Sequence, residues 1–465
     1  MNDMQVLIED DNILSKLQGG ATVAPNELGQ TLRCSVQPKR SNGIANKLDA
    51  TDQPAHNWYR FVLSFPPHLV RDYLHRFGAD STTVCLDPFC GTATTPVECK
   101  KMDVPSIGVE SHPMAFFAAQ VKTEWMVDPQ GLLDHAQRIA ERVVAELAND
   151  GLSDEGASPR TPRPHLRSLP TEALSLLLTN SISPLPLHKT LVLLGHLRET
   201  SGSQYHRHEL LALAQALVTV IGNLHFGPEV GVGPPKSDAP VIAAWLANVK
   251  AMASDLVGLR AKWHVPSTII RADSREIFNV LRPGSIGAVI TSPPYPNEKD
   301  YTRTTRLESV LLGLLQTKAD LKAVKRGLMR SNTRNVYKDD DDDAWVASHA
   351  EIQKIATDIE ERRIALEKTS GFERLYAKVT KLYFGGMARH LHELKTVLKP
   401  GAHLAYVVGD QASYLRVMIR TGQLLADLAK SQGYEVLGID LFRTRLSTAT
   451  GDQLREEAVL LRWPG

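Results

Sequence analysis

Ser292-Pro293-Pro294-Tyr295 closes an apolar run, Gly287 to Ile290, and its residue types suit one demanding nucleophile, an amino group on an aromatic ring. The lone pair of such a nitrogen is delocalised into the ring, so it needs hydrogen-bond acceptors that draw it toward tetrahedral geometry. Ser292 Oγ and the carbonyl of Pro293 can supply two. Consecutive prolines stiffen that backbone and offer no amide donor, while Tyr295 offers a flat face for a base taken out of a duplex. Two further Pro-Pro pairs, Pro66-Pro67 and Pro234-Pro235, are followed by His68 and Lys236 rather than by an aromatic residue, and read as turns. No Pro-Cys dipeptide occurs, which removes the usual nucleophile for attack at the 5-position of cytosine.

A second constellation suits a nucleoside-bearing cofactor. Asp87-Pro88-Phe89-Cys90-Gly91-Thr92-Ala93-Thr94-Thr95 follows a short β-prone run and precedes a helical pattern. Gly91 permits close approach of backbone to a ligand, and the helix start presents unpaired amides to a carboxylate or phosphate. The three-glycine dinucleotide spacing and the Gly-Lys-Ser/Thr of a P-loop are both missing, which argues against NAD and ATP. Glu110, nineteen residues after Gly91, ends the next strand, where a carboxylate can accept both hydroxyls of a ribose. Asp273 ends a third strand and is placed to accept from an adenine amino group.

These residues need strands to carry them. The pattern predicts strands at 83–86, 106–109, 268–271, 287–290, 404–408, 435–442 and 457–462, two before a helical stretch and five after it. Helices are expected from about His68, over 114–125, 349–368, 380–398 and 421–432, with Lys399-Pro400-Gly401 as a helix stop. Between about Val127 and Lys262 the spacing is helical at 132–147, 187–198, 208–223 and 241–259. It is broken by a linker at 151–164 and a Gly/Pro loop at 226–237. In an open parallel sheet ligands bind outside the carboxyl ends of the strands, and each polar signature above falls at such an end.

Composition bounds the rest. With 465 residues, 43% hydrophobic and 23% charged, the chain reads as a soluble protein of two or three structural units. The start is acidic, lacks a signal-peptide pattern, and no apolar stretch approaching 18 residues is evident, so a cytoplasmic location without membrane contact is expected. Cys34, Cys85, Cys90 and Cys99 read as reduced core or loop residues, with no disulfide scaffold and no metal site. The net charge of +1 leaves nucleic-acid binding to local patches. The candidate is Pro296 to Lys338, with ten Lys or Arg against four Asp or Glu, after which Asp339 to Asp343 turns acidic.

At this point the sequence resembles the amino-methylating, site-specific DNA methyltransferases. Asp87 to Thr95 looks like their cofactor motif, with Ala93 where Gly is usual. Thr291 to Tyr295 looks like the catalytic motif, Gly108 to Pro113 like the ribose segment, and Phe65-Pro66-Pro67-His68-Leu69-Val70 like the segment beside the methionine part of the cofactor. Leu398 to Gly401 with Tyr406 to Asp410 fits the same pattern. The resemblance implies a class I methyltransferase fold: α/β, Rossmann-like, a seven-stranded mostly parallel sheet with a large helical insertion and a second smaller one. It implies S-adenosyl-L-methionine as cofactor, held by Phe65, Asp87, Phe89, Gly91, Thr92, Thr94, Glu110 and Asp273, and catalysis by Ser292, Pro293, Pro294 and Tyr295. Ser292 at the first catalytic position points to the 4-amino group of cytosine. The alternatives are adenine N6 in DNA or RNA, or a catalytically silent DNA-binding subunit. Double-stranded DNA with a flipped base is the expected partner, contacted by Arg303, Arg306, Arg330 and Arg334 together with Lys299, Lys325 and Arg326. A cognate endonuclease or defence-system partner is a further expectation. The segments are then 1–55 as an N-terminal extension, 56–125 as the cofactor half, 126–265 as a helical insertion for target recognition, and 266–465 as the catalytic half with an insertion at 296–370.

Overall fold

The apolar runs flanking the polar signatures assemble into one sheet in a computed structural model that describes residues 48–59, 65–154, 165–226, 229–297, 299–446, 451 and 453–465. The exposed arm expected at Gln37 to Asn46 lies outside the described residues. Among the described residues nine strands form: β1 (Cys85–Asp87), β2 (Ser106–Val109), β3 (Leu224–Phe226), β4 (Val230–Val232), β5 (Ser267–Ile270), β6 (Ile286–Thr291), β7 (Leu398–Gly409), β8 (Glu435–Leu446) and β9 (Gln453–Arg462). Seven of them make a sheet in the order β5-β2-β1-β6-β7-β9-β8. All neighbours are parallel except β9, which runs antiparallel to both β7 and β8. This is the class I methyltransferase topology, and its order reverses between β1 and β6, so that the Asp87 and Thr291 loops leave adjacent strands at the same edge.

The principal helices are α1 (Pro67–Arg76), α2 (Thr94–Lys101), α3 (Pro113–Thr123), α4 (Pro129–Asn149), α5 (Pro184–Glu199), α6 (His206–Ala216), α7 (Val241–Leu259), α8 (Ala350–Ala365), α9 (Tyr376–Leu394) and α10 (Thr421–Ser431). Helices α8, α9 and α10 cover one face of the sheet through Ile352, Ile359, Phe384, Leu391 and Leu425. On the other face α1 packs Val70 and Leu74 against Ile290 and Val407. Helices α4 to α7 share a single apolar cluster with Cys90, Ala93, Val97 and Met114, so the helical segment is seated directly on the cofactor loop and α3. Trp125 and Trp245 are fully buried there. Helix α7, continued to Lys262, has the length and mean hydropathy (1.3) of a membrane span, an apolar stretch longer than the sequence reading expected. Its Trp245, Val249, Met252 and Leu256 nevertheless point into this protein core.

Three local expectations change. Lys399-Pro400-Gly401 does not stop a helix: α9 ends at Leu394, and these residues lie inside β7. The pairing of β6 jumps there from Ile286↔Leu398 to Ala288↔His403, so the Pro-Gly pair is absorbed as a bulge, with Gly401 at φ +85 donating its amide to Trp463 O at 2.7 Å. The Gly/Pro loop after Phe226 contains the β3-β4 hairpin, whose Gly231 leaves room for the His225 ring, 2.3 Å from where a Cβ would stand. The helix expected over 208–223 gives way at Leu217–Ile221 to a wider π turn in a β-branched stretch.

Candidate active site

The cofactor loop is a strand end turned sharply into a helix. Gly91 and Ala93 both adopt left-handed backbone, at φ +52 and +69, which lets the chain reverse within four residues and enter α2. Buried Asp87 accepts from Phe89 N at 3.1 Å and from Thr291 Oγ1 at 2.6 Å through the same oxygen, Oδ1. Its other oxygen, Oδ2, makes no hydrogen bond among the described residues; the Thr95 hydroxyl, which donates to Ile290 O, lies close enough to favour its charged form. Burial raises the Asp87 carboxyl to about 6, against the hydrogen bond from Thr291. Thr92 Oγ1 is likewise buried and unpartnered among the described residues, and the space a Gly91 Cβ would enter is open. An unpaired carboxylate oxygen, a free hydroxyl and an open left-handed glycine fit the amino acid end of S-adenosylmethionine.

Glu110 closes the loop from the side. Its two oxygens accept from Gly91 N at 2.8 Å and His112 N at 2.7 Å, each retaining a lone pair, and burial pushes the carboxyl up to about 7. Gly108 of the same strand has no room for a side chain because a Cβ would be 2.9 Å from Cys90 Sγ. Asp273 is already engaged: it caps the turn at Ser274–Asn279, and both its oxygens take Arg275, with Nη2 at 2.6 Å. Between Asp273 and Phe89 stands His390, which the sequence reading missed. Burial lowers its pKa to about 4, so it is neutral, with Nδ1–H donating to Ser274 O (2.9 Å) and Nε2 accepting from Tyr406 Oη (2.7 Å). Phe89 meets this ring edge-on at 4.8 Å. Phe65 packs at the rim of the α1 cluster.

The catalytic loop starts where β6 ends. Ser292 Oγ donates to Val407 O of β7 at 3.0 Å. Its proton is thereby committed to β7 and its lone pairs are left as acceptors, with the Tyr295 hydroxyl close enough to donate to one of them. Tyr295 lies over Gly409, whose absent Cβ would be 3.0 Å from Tyr295 Cε2. Burial, then the nearby Glu456, pushes the Tyr295 hydroxyl above its ordinary value, so it stays protonated. Tyr301, another residue the sequence reading missed, is partly buried close to both Tyr295 and Glu110, and burial raises its hydroxyl above the ordinary value. Its helical turn is fixed to the ribose segment by a contact of 3.2 Å between Thr305 Oγ1 and His112 Nε2.

Two of the arginines expected to contact DNA do not face solvent. Arg306 is buried and spends its guanidinium on Thr302 O, Thr302 Oγ1 and Leu176 O, stapling the insertion to the helical segment. Arg330, also buried, pairs with Asp340 and donates to the carbonyls of Lys325, Arg326 and Leu328. Lys325 pairs with Asp300 of the same stretch and Arg326 with Asp339, so Arg326 and Arg330 are the basic residues that the acidic run engages among the described residues. Asp342 goes further and holds Arg275 and Arg389 against α9. Arg303 and Arg334 remain partly exposed.

Strand order and the two loops on adjacent strands define a class I methyltransferase fold, with unpaired acceptors at its switch point. No protein-family model matches the chain. Over 442 residues it is 26% identical to the type II methyltransferase M.BsoBI of Geobacillus stearothermophilus, covering 88% of this chain and 84% of the relative. It is 22% identical over 400 residues to the type II methyltransferase M.AvaI of Nostoc, covering 83% and 80%. Among solved structures, TrmN from Thermus thermophilus aligns with a TM-score of 0.27 and 11% identity over 88% of this chain and 52% of that one.

Proposed function

We propose that this protein methylates DNA site-specifically, transferring the methyl group of S-adenosylmethionine to the 4-amino group of a flipped cytosine. The hydrogen bond from Ser292 to Val407 O carries the reading, because it turns the serine into an acceptor aimed at an amino group. When bound, the cofactor supplies an electrophilic methyl on a sulfonium. Asp87 Oδ2 and Thr92 would hold its amino acid end, Glu110 its ribose, and Phe89 with Asp273 its adenine side. Ser292 Oγ and the Pro293 carbonyl would each accept an N–H of the target amino group, localising its lone pair for in-line attack. No covalent enzyme intermediate is needed, and the rate would come from orientation and exclusion of water. The relatives named type II methyltransferases support action on DNA; Ser rather than an acidic residue at position 292 favours cytosine by the family resemblance, and a cognate endonuclease is part of the same proposal.

The test is incubation of the purified chain with S-adenosylmethionine and unmodified DNA, followed by mass spectrometry of the nucleosides. N4-methylcytosine is expected, and Ser292→Ala should reduce it at least tenfold. N6-methyladenine would overturn the base assignment, and labelling of RNA alone would overturn the polymer.

A further inference from the structure

A row of side chains runs outward from the catalytic loop across the carboxyl ends of β6 and β7 to the β8-β9 hairpin. Tyr295 lies over Gly409, Gly409 pairs with Glu456, and Glu456 pairs with Arg443. Buried Glu456 is gripped by Arg443 through both oxygens, at 2.7 Å each. Arg445, two residues on and so on the same face of β8, reaches the same carboxylate with Nε at 3.3 Å and keeps 40% of its side chain exposed. One carboxylate therefore serves two guanidinium groups.

Lys299, four residues past Tyr295, adds a cation with no carboxylate within salt-bridge distance among the described residues. Its ammonium is lowered from the ordinary value, first by burial and then by repulsion from Arg445, with Glu229 and Glu456 acting the other way. Glu229 in turn faces Arg334 at 3.9 Å. Four cations and two carboxylates thus crowd the mouth beside Tyr295, an excess of positive charge that an anion would relieve. A nucleotide whose base sits on Tyr295 brings its own phosphates to this place.

We propose that the β8-β9 hairpin is part of the DNA interface, Arg445 together with Lys299 docking a phosphate of the strand that carries the target base, while Arg443 and Glu456 hold the hairpin in position. This rests on DNA being the substrate. Arg445 lies outside the basic stretch that the sequence singles out, and Lys299 lies within it.

The experiment compares wild type, Arg445→Gln, Arg445→Lys and Lys299→Gln as full-length protein. The readouts are DNA binding as a function of KCl concentration, methyl transfer to unmodified genomic DNA, and calorimetric binding of S-adenosylhomocysteine. Each Gln variant should flatten the slope of log K against log salt by about 0.9, the loss of one phosphate contact. KM for DNA should rise several-fold, while S-adenosylhomocysteine affinity stays at the wild-type value. Arg445→Lys keeps the charge and should keep the wild-type slope; a slope flattened as much as in Arg445→Gln would mean that Arg445 acts through its guanidinium contact with Glu456 and would overturn the phosphate contact. A wild-type slope and KM in Arg445→Gln overturn the hairpin assignment and leave the methyltransferase reading intact. A wild-type chain that binds S-adenosylhomocysteine but labels no DNA overturns both.

Discussion

Thr291 Oγ1 donates to Asp87 Oδ1 at 2.6 Å, so the last residue of β6 is tied to the last residue of β1 and the methyl-accepting loop is registered against the cofactor loop. Both groups are buried, and the bond opposes the burial that raises the Asp87 carboxyl. Thr291→Val keeps the shape and removes the donor, leaving Oδ1 with only Phe89 N. The variant should lose about 1–3 kcal/mol in urea unfolding, the range for a buried acceptor deprived of its partner. It should also bind S-adenosylhomocysteine more weakly, while Thr291→Ser stays close to wild type. An unchanged unfolding midpoint in Thr291→Val would show that the coupling is not made.

Glu110 gives a pH dependence whose sign is fixed. Its carboxyl sits at about 7 in the folded chain against an ordinary 4.5, so the folded form holds the proton more tightly than the unfolded one. This residue's contribution to stability therefore falls as pH rises from 4.5 to about 7. Ribose hydroxyls need the ionised form as acceptor. Affinity for S-adenosylhomocysteine should accordingly drop by up to about tenfold per pH unit below pH ~7 and level off above it. Calorimetry across this range should show the dependence in wild type and lose its part between pH 6 and 7 in Glu110→Gln, leaving only the fall below about 6 that protonation of Asp87 imposes.

Ala93 takes the left-handed backbone that glycine would take without strain, at φ 69 and ψ 41. That conformation costs an alanine about 1–2 kcal/mol. Against this, glycine would add about 0.4–1 kcal/mol of unfolded-state freedom and give up a buried methyl group worth about 0.8 kcal/mol. The opposing effects nearly cancel, so Ala93→Gly should change unfolding free energy by less than about 1 kcal/mol and leave cofactor binding intact. A β-branched residue cannot adopt this conformation cheaply. Ala93→Val should destabilise by more than about 2 kcal/mol and abolish binding of S-adenosylhomocysteine.

Much of this was legible because it is local. Ser106–Val109 and Val241–Leu259 coincide with the runs predicted from spacing, and Asp87, Glu110 and Ser292 stand at strand ends because apolar runs stop there. The arginines misled because their partners are distant or opposite in sign. Nothing near Arg306 in sequence announces that Leu176, 130 residues earlier, will accept its guanidinium. The excess of Lys and Arg over 296–338 reads as a patch until the Asp run folds back on it at Asp339 and Asp340, while Asp342 goes to Arg275 outside it. Arg443, Glu456 and His390 went unnoticed because only strand pairing and helix packing bring them to the cleft.

Gly409 offers a way to disturb the target side of the cleft alone. A Cβ there would stand 3.0 Å from Tyr295 Cε2, so the ring must give by a few tenths of an ångström, and 3.4 Å from Glu456 Cγ, an ordinary contact. The backbone is ordinary extended strand, so alanine brings no dihedral strain, only the displacement of the ring. Gly409→Ala should cost about 1 kcal/mol of stability, at the mild end for an overpacked site. Because reacting groups displaced by about 1 Å can lose two orders of magnitude in rate, kcat for methyl transfer should fall about 10- to 100-fold. Asp87 and Glu110 lie on β1 and after β2, away from the added methyl group, so affinity for S-adenosylhomocysteine should not change. The separation of the two effects is the diagnostic: a variant with wild-type kcat would remove Tyr295 from the target pocket, and one that also lost cofactor affinity would mean that the two loops do not act independently.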